Sequence, residues 1–221
     1  MNKEKQKEEI GKYAAQLIKD EEVIGLGTGS TVKYLANALG KRIEDGEKFY
    51  AVPTSYQSMQ LCINNKINIV TLHEFTPEKA FDGADEVDPS KNLIKGRGGA
   101  LTREKIIGYS AKDFFVLIDD SKFVEQLGSK FPVPIEVLPL AYTSVIKRIS
   151  EIGNPILREA KAKDGPVISD NGNFIIDLWV KIDNPKTREV ELNNIPGTIE
   201  NGIFTRECKT ISIVDDVIDV K

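Results

Sequence analysis

The chain has 221 residues, enough for one large domain or two small ones, and its 40% hydrophobic and 29% charged residues are the mix of an ordinary globular protein. One His and two Cys exclude a His-rich metal site, a mechanism needing two imidazoles and a cysteine zinc cluster, and do not read as a disulfide scaffold. The formal net charge of −4 argues against a general nucleic-acid binder, yet local Lys and backbone N–H groups can still hold a small anion.

The first residues, Met1 to Lys12, are mostly Lys and Glu, so they do not form a secretory signal. The most apolar cluster, Phe114 to Ile118, is too short to span a bilayer, and the expected location is cytoplasmic with no membrane partner. Ile10, Tyr13, Ala14, Leu17 and Ile18 recur at helical spacing. A strand over Val23–Leu26 follows, then the turn Gly27-Thr28-Gly29-Ser30-Thr31, then a helix over Val32–Leu39 ending at Gly40. Strand, Gly-rich turn and helix open many α/β domains. Strands are predicted at Phe49–Val52, Ile67–Thr71, Ala80–Phe81 and Phe114–Ile118, with helices at Tyr56–Asn64 and Leu101–Ser110. This alternation implies a mostly parallel sheet covered by helices on both faces.

After Lys130 the texture changes. Phe131-Pro132-Val133-Pro134-Ile135 is extended, a helix is predicted over Tyr142–Glu151, and strands over Ile156–Lys161 and Phe174–Lys181. A helix over Thr187–Asn193 and a strand over Thr210–Val214 follow, the latter able to rejoin the first sheet. The expected division is therefore residues 1–129 plus 203–221 as one α/β domain, with residues 130–202 as a small α+β insert.

Four segments can carry chemistry. Gly25-Leu26-Gly27-Thr28-Gly29-Ser30-Thr31 enters a helix, where unpaired N–H groups and the helix dipole suit a phosphate. A dinucleotide fingerprint fits poorly, because its third Gly falls on Ser30 and Pro53-Thr54-Ser55 stands where an acidic residue should close the second strand. The bland alternative is a packing turn. Next, Asp82, Asp85, Glu86 and Asp88 crowd a probable strand end without matching a calcium loop, and an acidic solvated loop is the alternative. The small Gly83 and Ala84 let a ligand approach the backbone there. Third, Lys95-Gly96-Arg97-Gly98 leads into Glu104 and Lys105 at a helix start; such a loop can aim N–H groups at an oxyanion. The alternative for Glu104 is a simple first-turn acid favoured by the dipole. Last, Lys122 follows a strand end, where it can meet an anion or merely face solvent. His73 reads as surface or structural, and Trp179 as packing.

These segments, in this order, resemble the type A ribose-5-phosphate isomerases, as do Lys130–Val137 and Ser169-Asp170-Asn171-Gly172-Asn173. The resemblance implies a Rossmann-like sheet domain interrupted by a smaller α+β, ferredoxin-like domain, and a homodimer or homotetramer. It also implies interconversion of D-ribose 5-phosphate and D-ribulose 5-phosphate without metal or organic cofactor. By the same resemblance Glu104 is the base, Lys95 stabilises the enediolate with the N–H groups of Gly96 to Gly98, and Asp82 serves hydroxyl proton transfer and ring opening. Asp85 would position hydroxyls; Thr28, Gly29, Ser30 and Thr31 would hold phosphate or sugar oxygens; Lys122 would add positive charge. Arg97 departs from the pattern, standing where many relatives have Gly. The competing readings are a non-catalytic sugar-phosphate sensor and an acyl-CoA transferase of related fold.

Overall fold

The computed structural model describes residues 2–214 and 216–221. Helix α1 (Lys3–Gln16) is capped by Asn2, whose side chain accepts the Lys5 N–H at 2.9 Å. Strand β1 (Val23–Leu26), helix α2 (Ser30–Glu44), β2 (Tyr50–Pro53), α3 (Tyr56–Asn64), β3 (Asn68–Ile69) and β4 (Lys79–Gly83) follow. Two short strands, β5 (Glu86–Val87) and β6 (Leu93–Ile94), precede α4 (Leu101–Ser110) and β7 (Asp113–Leu117). The chain continues through β8 (Val133–Val137), α5 (Tyr142–Ile149), β9 (Asn154–Leu157), β10 (Phe174–Trp179) and α6 (Pro185–Asn193). It ends with β11 (Thr198–Asn201), β12 (Ile203–Phe204), β13 (Lys209–Val214) and β14 (Val217–Val220).

Two compact units result. The first comprises Met1–Ala84, Arg103–Lys122 and Glu207–Lys221. Its sheet runs β14-β13-β7-β4-β1-β2-β3, parallel except for the antiparallel β13–β14 edge pair. Ile24, Leu26, Phe81, Phe115 and Leu117 from the strands pack with Ile10, Val32, Leu35 and Leu39 from α1 and α2. The order matters for function. The chain steps outward from β1 to β3, then returns to place β4 on the other side of β1. The direction of winding thus reverses between β1 and β4, and a crevice opens beyond their carboxyl ends.

The second unit comprises Asp85–Thr102 and Phe123–Arg206. Its β8-α5-β9-β10-α6-β11 sequence builds an antiparallel sheet in the order β11-β8-β10-β9, the ferredoxin-like arrangement. Ile135, Val137, Ile176 and Leu178 form its core with Val145, Ile149 and Leu192 from the helices. A separate three-stranded sheet, β12-β6-β5, joins the unit's two chain segments.

This division differs from the sequence reading, which keeps residues 85–102, 123–129 and 203–206 with the first sheet. The reason is long-range pairing that leaves no local texture. Strand β12 pairs with β6, and the buried Glu86 carboxylate accepts the N–H groups of Gly128, Lys130 and Phe131 at 2.6, 2.5 and 2.7 Å. Helix α2 also runs past Gly40, where the sequence reading ends it. A Cβ at Gly40 would lie 2.7 Å from Asn65 Oδ1, so this glycine serves close packing, not helix termination.

Candidate active site

In the first unit, the switch point carries Asp82, the penultimate residue of β4, buried at 2% exposure. Asp82 Oδ1 accepts the N–H groups of Thr28 at 3.0 Å and Gly83 at 2.8 Å, tying the ends of β1 and β4 together. Gly27 makes this possible, because a Cβ there would overlap the Asp82 carboxyl. The Thr28 hydroxyl lies 3.0 Å from that of Thr54 and donates to that of Ser55 at 2.7 Å. Ser55 in turn caps α3 through a reciprocal capping box with Ser58.

Gly29 is the N-cap of α2 with φ of +129°, and its N–H donates to Gln57 Oε1 at 3.1 Å. A Cβ at Gly29 would meet open space, so its need for glycine is conformational. Ser30 is exposed and Thr31 buried at the first turn of α2. The helix start therefore offers N–H and hydroxyl donors at its positive end.

Helix α4 crosses β1 closely, since a Cβ at Gly25 would lie 2.6 Å from the Ile107 methyl. Glu104, three positions before Ile107, shares that inward face and is 4% exposed. Lys122 sits in the 3-10 turn Asp120–Lys122 after β7, half-buried, with its N–H on the Asp119 carbonyl at 3.2 Å. The Asp119 side chain holds this turn through the Ser121 N–H at 3.0 Å.

In the second unit, Lys95 is 2% exposed and places Nζ 5.4 Å from the centre of the Phe204 ring, while its N–H bonds Gly202 O at 2.9 Å. Gly96 and Gly99 take φ values of +97° and +81°, and Gly99 N–H closes the turn on Gly96 O at 2.9 Å. Asp85 accepts the Arg97 N–H at 3.0 Å. The Arg97 guanidinium stacks 5.3 Å from the Phe131 ring centre, neither wholly free in solvent nor reaching inward.

The other acids of the Asp82–Asp88 run have structural roles. Glu86 straps the 128–131 backbone, and Asp88 accepts the Ser90 and Asn92 N–H groups at 2.9 and 2.8 Å within the β5–β6 turn. Two groups have no role in the sequence reading: Glu136, inside the Lys130–Val137 segment, and Arg158, outside every motif. Glu136 on β8 is fully buried and accepts from Thr102, Ser169, Asn173 and Asn171 side chains at 2.5, 2.7, 2.8 and 3.0 Å. Arg158 donates to the carbonyls of Gly96 and Arg97, each at 3.1 Å. His73 is exposed, as expected, but Trp179 is 44% exposed at the end of β10 and is not the packing residue that its strand implied. Among the described residues no group of three or more His, Cys, Asp or Glu side chains is arranged to hold a metal ion. No described helix is long and apolar enough to cross a membrane.

A parallel α/β sheet with a buried carboxylate and hydroxyl donors at its switch point defines a protein of the class that binds small anionic ligands at strand ends. The chain belongs to the ribose 5-phosphate isomerase A (phosphoriboisomerase A) family, whose sequence model matches residues 50–216. Ribose-5-phosphate isomerase A of Thermococcus kodakarensis is 52% identical over 210 residues, covering 92% of this chain and 91% of that protein. The structure of ribose 5-phosphate isomerase A from Methanocaldococcus jannaschii superposes with a TM-score of 0.97 at 46% identity, over 100% of this chain and 99% of that one. A D-ribose-5-phosphate isomerase in complex with phospho-erythronic acid also gives 0.97, at 48% identity and the same coverage.

Proposed function

We propose that this chain interconverts D-ribose 5-phosphate and D-ribulose 5-phosphate through an enediolate, with Glu104 as the base. The supporting observation is that family similarity along the whole chain coincides with three buried ionisable side chains, Asp82, Lys95 and Glu104. Burying charge is costly, and proteins concentrate such groups where protons move.

The chemistry assigns a task to each. The ring must open, and Asp82 carries the hydroxyl proton in that step. Glu104 then takes the proton from C2 of the open-chain aldose. The C–H electron pair forms the C1–C2 double bond, and the carbonyl pair moves onto O1. Lys95 and the N–H groups of the Gly96–Gly98 loop stabilise that negative charge. Proton exchange between the two oxygens followed by return of the Glu104 proton to C1 gives the ketose. Thr28 to Thr31 and Lys122 hold phosphate or sugar oxygens, Asp85 orients hydroxyls, and Gly83 and Ala84 leave room for the sugar. Phospho-erythronic acid, held by one relative, supports the reading, because its carboxylate carries two coplanar oxygens like those of an enediolate.

The test is ketose formation from ribose 5-phosphate in D2O. The enediolate route places solvent deuterium at C1 of the product to the extent that the proton held on Glu104 exchanges with D2O before its return, whereas direct hydride transfer places none. Glu104→Gln is expected to lower kcat by about 10²–10⁴-fold with KM little changed. Binding of ribose 5-phosphate without turnover by the wild-type chain would overturn the reading.

A further inference from the structure

We infer that Arg158, braced by Asp177, is a positioning residue that orients the Gly96–Gly98 backbone toward the enediolate. The inference rests on the isomerase reading above and extends it to a residue outside every motif in the sequence.

Arg158 immediately follows β9, with its N–H on Ile175 O of β10 at 2.9 Å. Two residues along, on the same face of β10, Asp177 receives the guanidinium fork: Nε on Oδ2 at 2.8 Å and Nη2 on Oδ1 at 2.5 Å. Both side chains are largely buried, at 16% and 18% exposure. The bidentate pair fixes the plane of the guanidinium and leaves Nη1 on its far edge. From there Nη1 donates to Gly96 O and Arg97 O, each at 3.1 Å.

Holding two successive carbonyls on one side has a consequence for the other. A trans peptide is planar, with C=O and N–H pointing in opposite directions, and the described peptides are trans. The Arg97 N–H therefore faces away from Arg158, where it meets Asp85 Oδ2 at 3.0 Å. By the same geometry the Gly98 N–H is turned away from Arg158, on a residue exposed to approach. N–H groups on one side of a loop bind anions; Asp85 takes that of Arg97, and the Gly98 N–H is the donor turned to the enediolate. The loop's left-handed residues, Gly96 and Gly99, have no side chains to hold it, so the clamp comes from outside. Without Arg158 the Gly96–Arg97 peptide keeps its bonds to Gly99 and Asp85, but the Arg97–Gly98 peptide loses the donor on its carbonyl and is free to turn that oxygen toward the enediolate, which it repels.

The test uses Arg158→Met, which keeps length but has no donor, Arg158→Lys, which restores one, and Asp177→Asn, which loosens the fork. For each, kcat and KM for ribose 5-phosphate, the inhibition constant of phospho-erythronic acid and the melting temperature are measured. Arg158→Met is expected to lower kcat by about 10–10²-fold with KM within about threefold, and to weaken the inhibitor by a similar factor. Arg158→Lys and Asp177→Asn should fall between it and wild type. Should Arg158→Met fail to fold, the Lys and Asn variants carry the same comparison. Wild-type kcat and inhibitor binding in the folded variants overturn the inference. So does a loss of kcat, substrate affinity and melting temperature in step, which marks a merely structural ion pair. Failure of the isomerase reading looks different, since the wild-type chain itself then forms no ketose.

Discussion

At the scale of single residues, Asp82 owes its place to the atom that Gly27 lacks. One carboxylate oxygen binds the N–H groups of Thr28 and Gly83, and the carboxyl occupies the space a Gly27 side chain would fill. Gly27→Ala must therefore push the carboxyl off its two donors. A fall in kcat of at least about tenfold is expected, with a loss of about 1–3 kcal/mol in urea unfolding from overpacking. An unchanged kcat would remove the seat of Asp82 from the requirements of catalysis. Asp82 was legible in the sequence because it belongs to a local cluster, but the cluster did not reveal which of its acids the fold seats between the ends of β1 and β4. Glu86 and Asp88 look equivalent to Asp82 in composition, yet both oxygens of Glu86 are taken by backbone N–H groups, and those of Asp88 by the Ser90 and Asn92 N–H groups and the Asn92 side-chain amide. The partners of Glu86 lie 42 to 45 positions away, beyond any spacing rule. Arg158 was illegible for the same reason, since it meets the Gly96 carbonyl across 62 positions.

Among elements, legibility followed length and capping. Helices α3 and α4 and strand β1 match their expected limits because a capping box, a helical period or a Gly-rich turn marks them locally. Strands β5, β6 and β12 have two residues each, too short for a period of two to register. Their sheet is nevertheless a structural joint, and the Glu86 side chain on β5 reinforces it by binding three backbone N–H groups of the 128–131 segment. Replacing Glu86 by Gln removes the charge and turns an NH2 group toward at least one of those donors. The expected cost is about 2–4 kcal/mol, read as a lower urea midpoint at unchanged slope, because hydrogen bonds to a buried charged group are the strong ones. A midpoint within experimental error of wild type would show that the strap carries no stability. Glu136 makes the corresponding joint on β8 with neutral donors. It draws together Lys130–Val137 and Ser169–Asn173, distant in sequence: Ser169, Asn171 and Asn173 close on one carboxylate.

For the whole molecule, the dependence of stability on pH separates surface from core. On the acid side, Lys7 and Tyr34 hold the Glu4 pKa down, Lys12 that of Glu8, Arg42 that of Glu47 and Lys209 that of Asp113. Groups whose folded pKa is depressed add stability above the carboxylate range and lose it as pH falls through that range. These pairs are exposed, so their share is small and fades with salt. On the alkaline side Cys62 is fully buried on α3, and burial pushes its thiol up to about 12. An unfolded thiol ionises near pH 8.5, so its contribution is whole below about 8.5 and drains as pH rises toward 12. Hydrogen bonds to Glu8 raise Lys12, and the bond to Glu4 raises Tyr34; both contributions are lost only above about pH 10. Between about pH 8.5 and 10 Cys62 therefore contributes a decline approaching about 1.4 kcal/mol per pH unit. Urea unfolding across that interval should show a steeper decline in the wild-type chain than in Cys62→Ala, whatever the lower absolute stability that its cavity brings. Parallel slopes in the two would show that the Cys62 thiol contributes nothing to the alkaline loss.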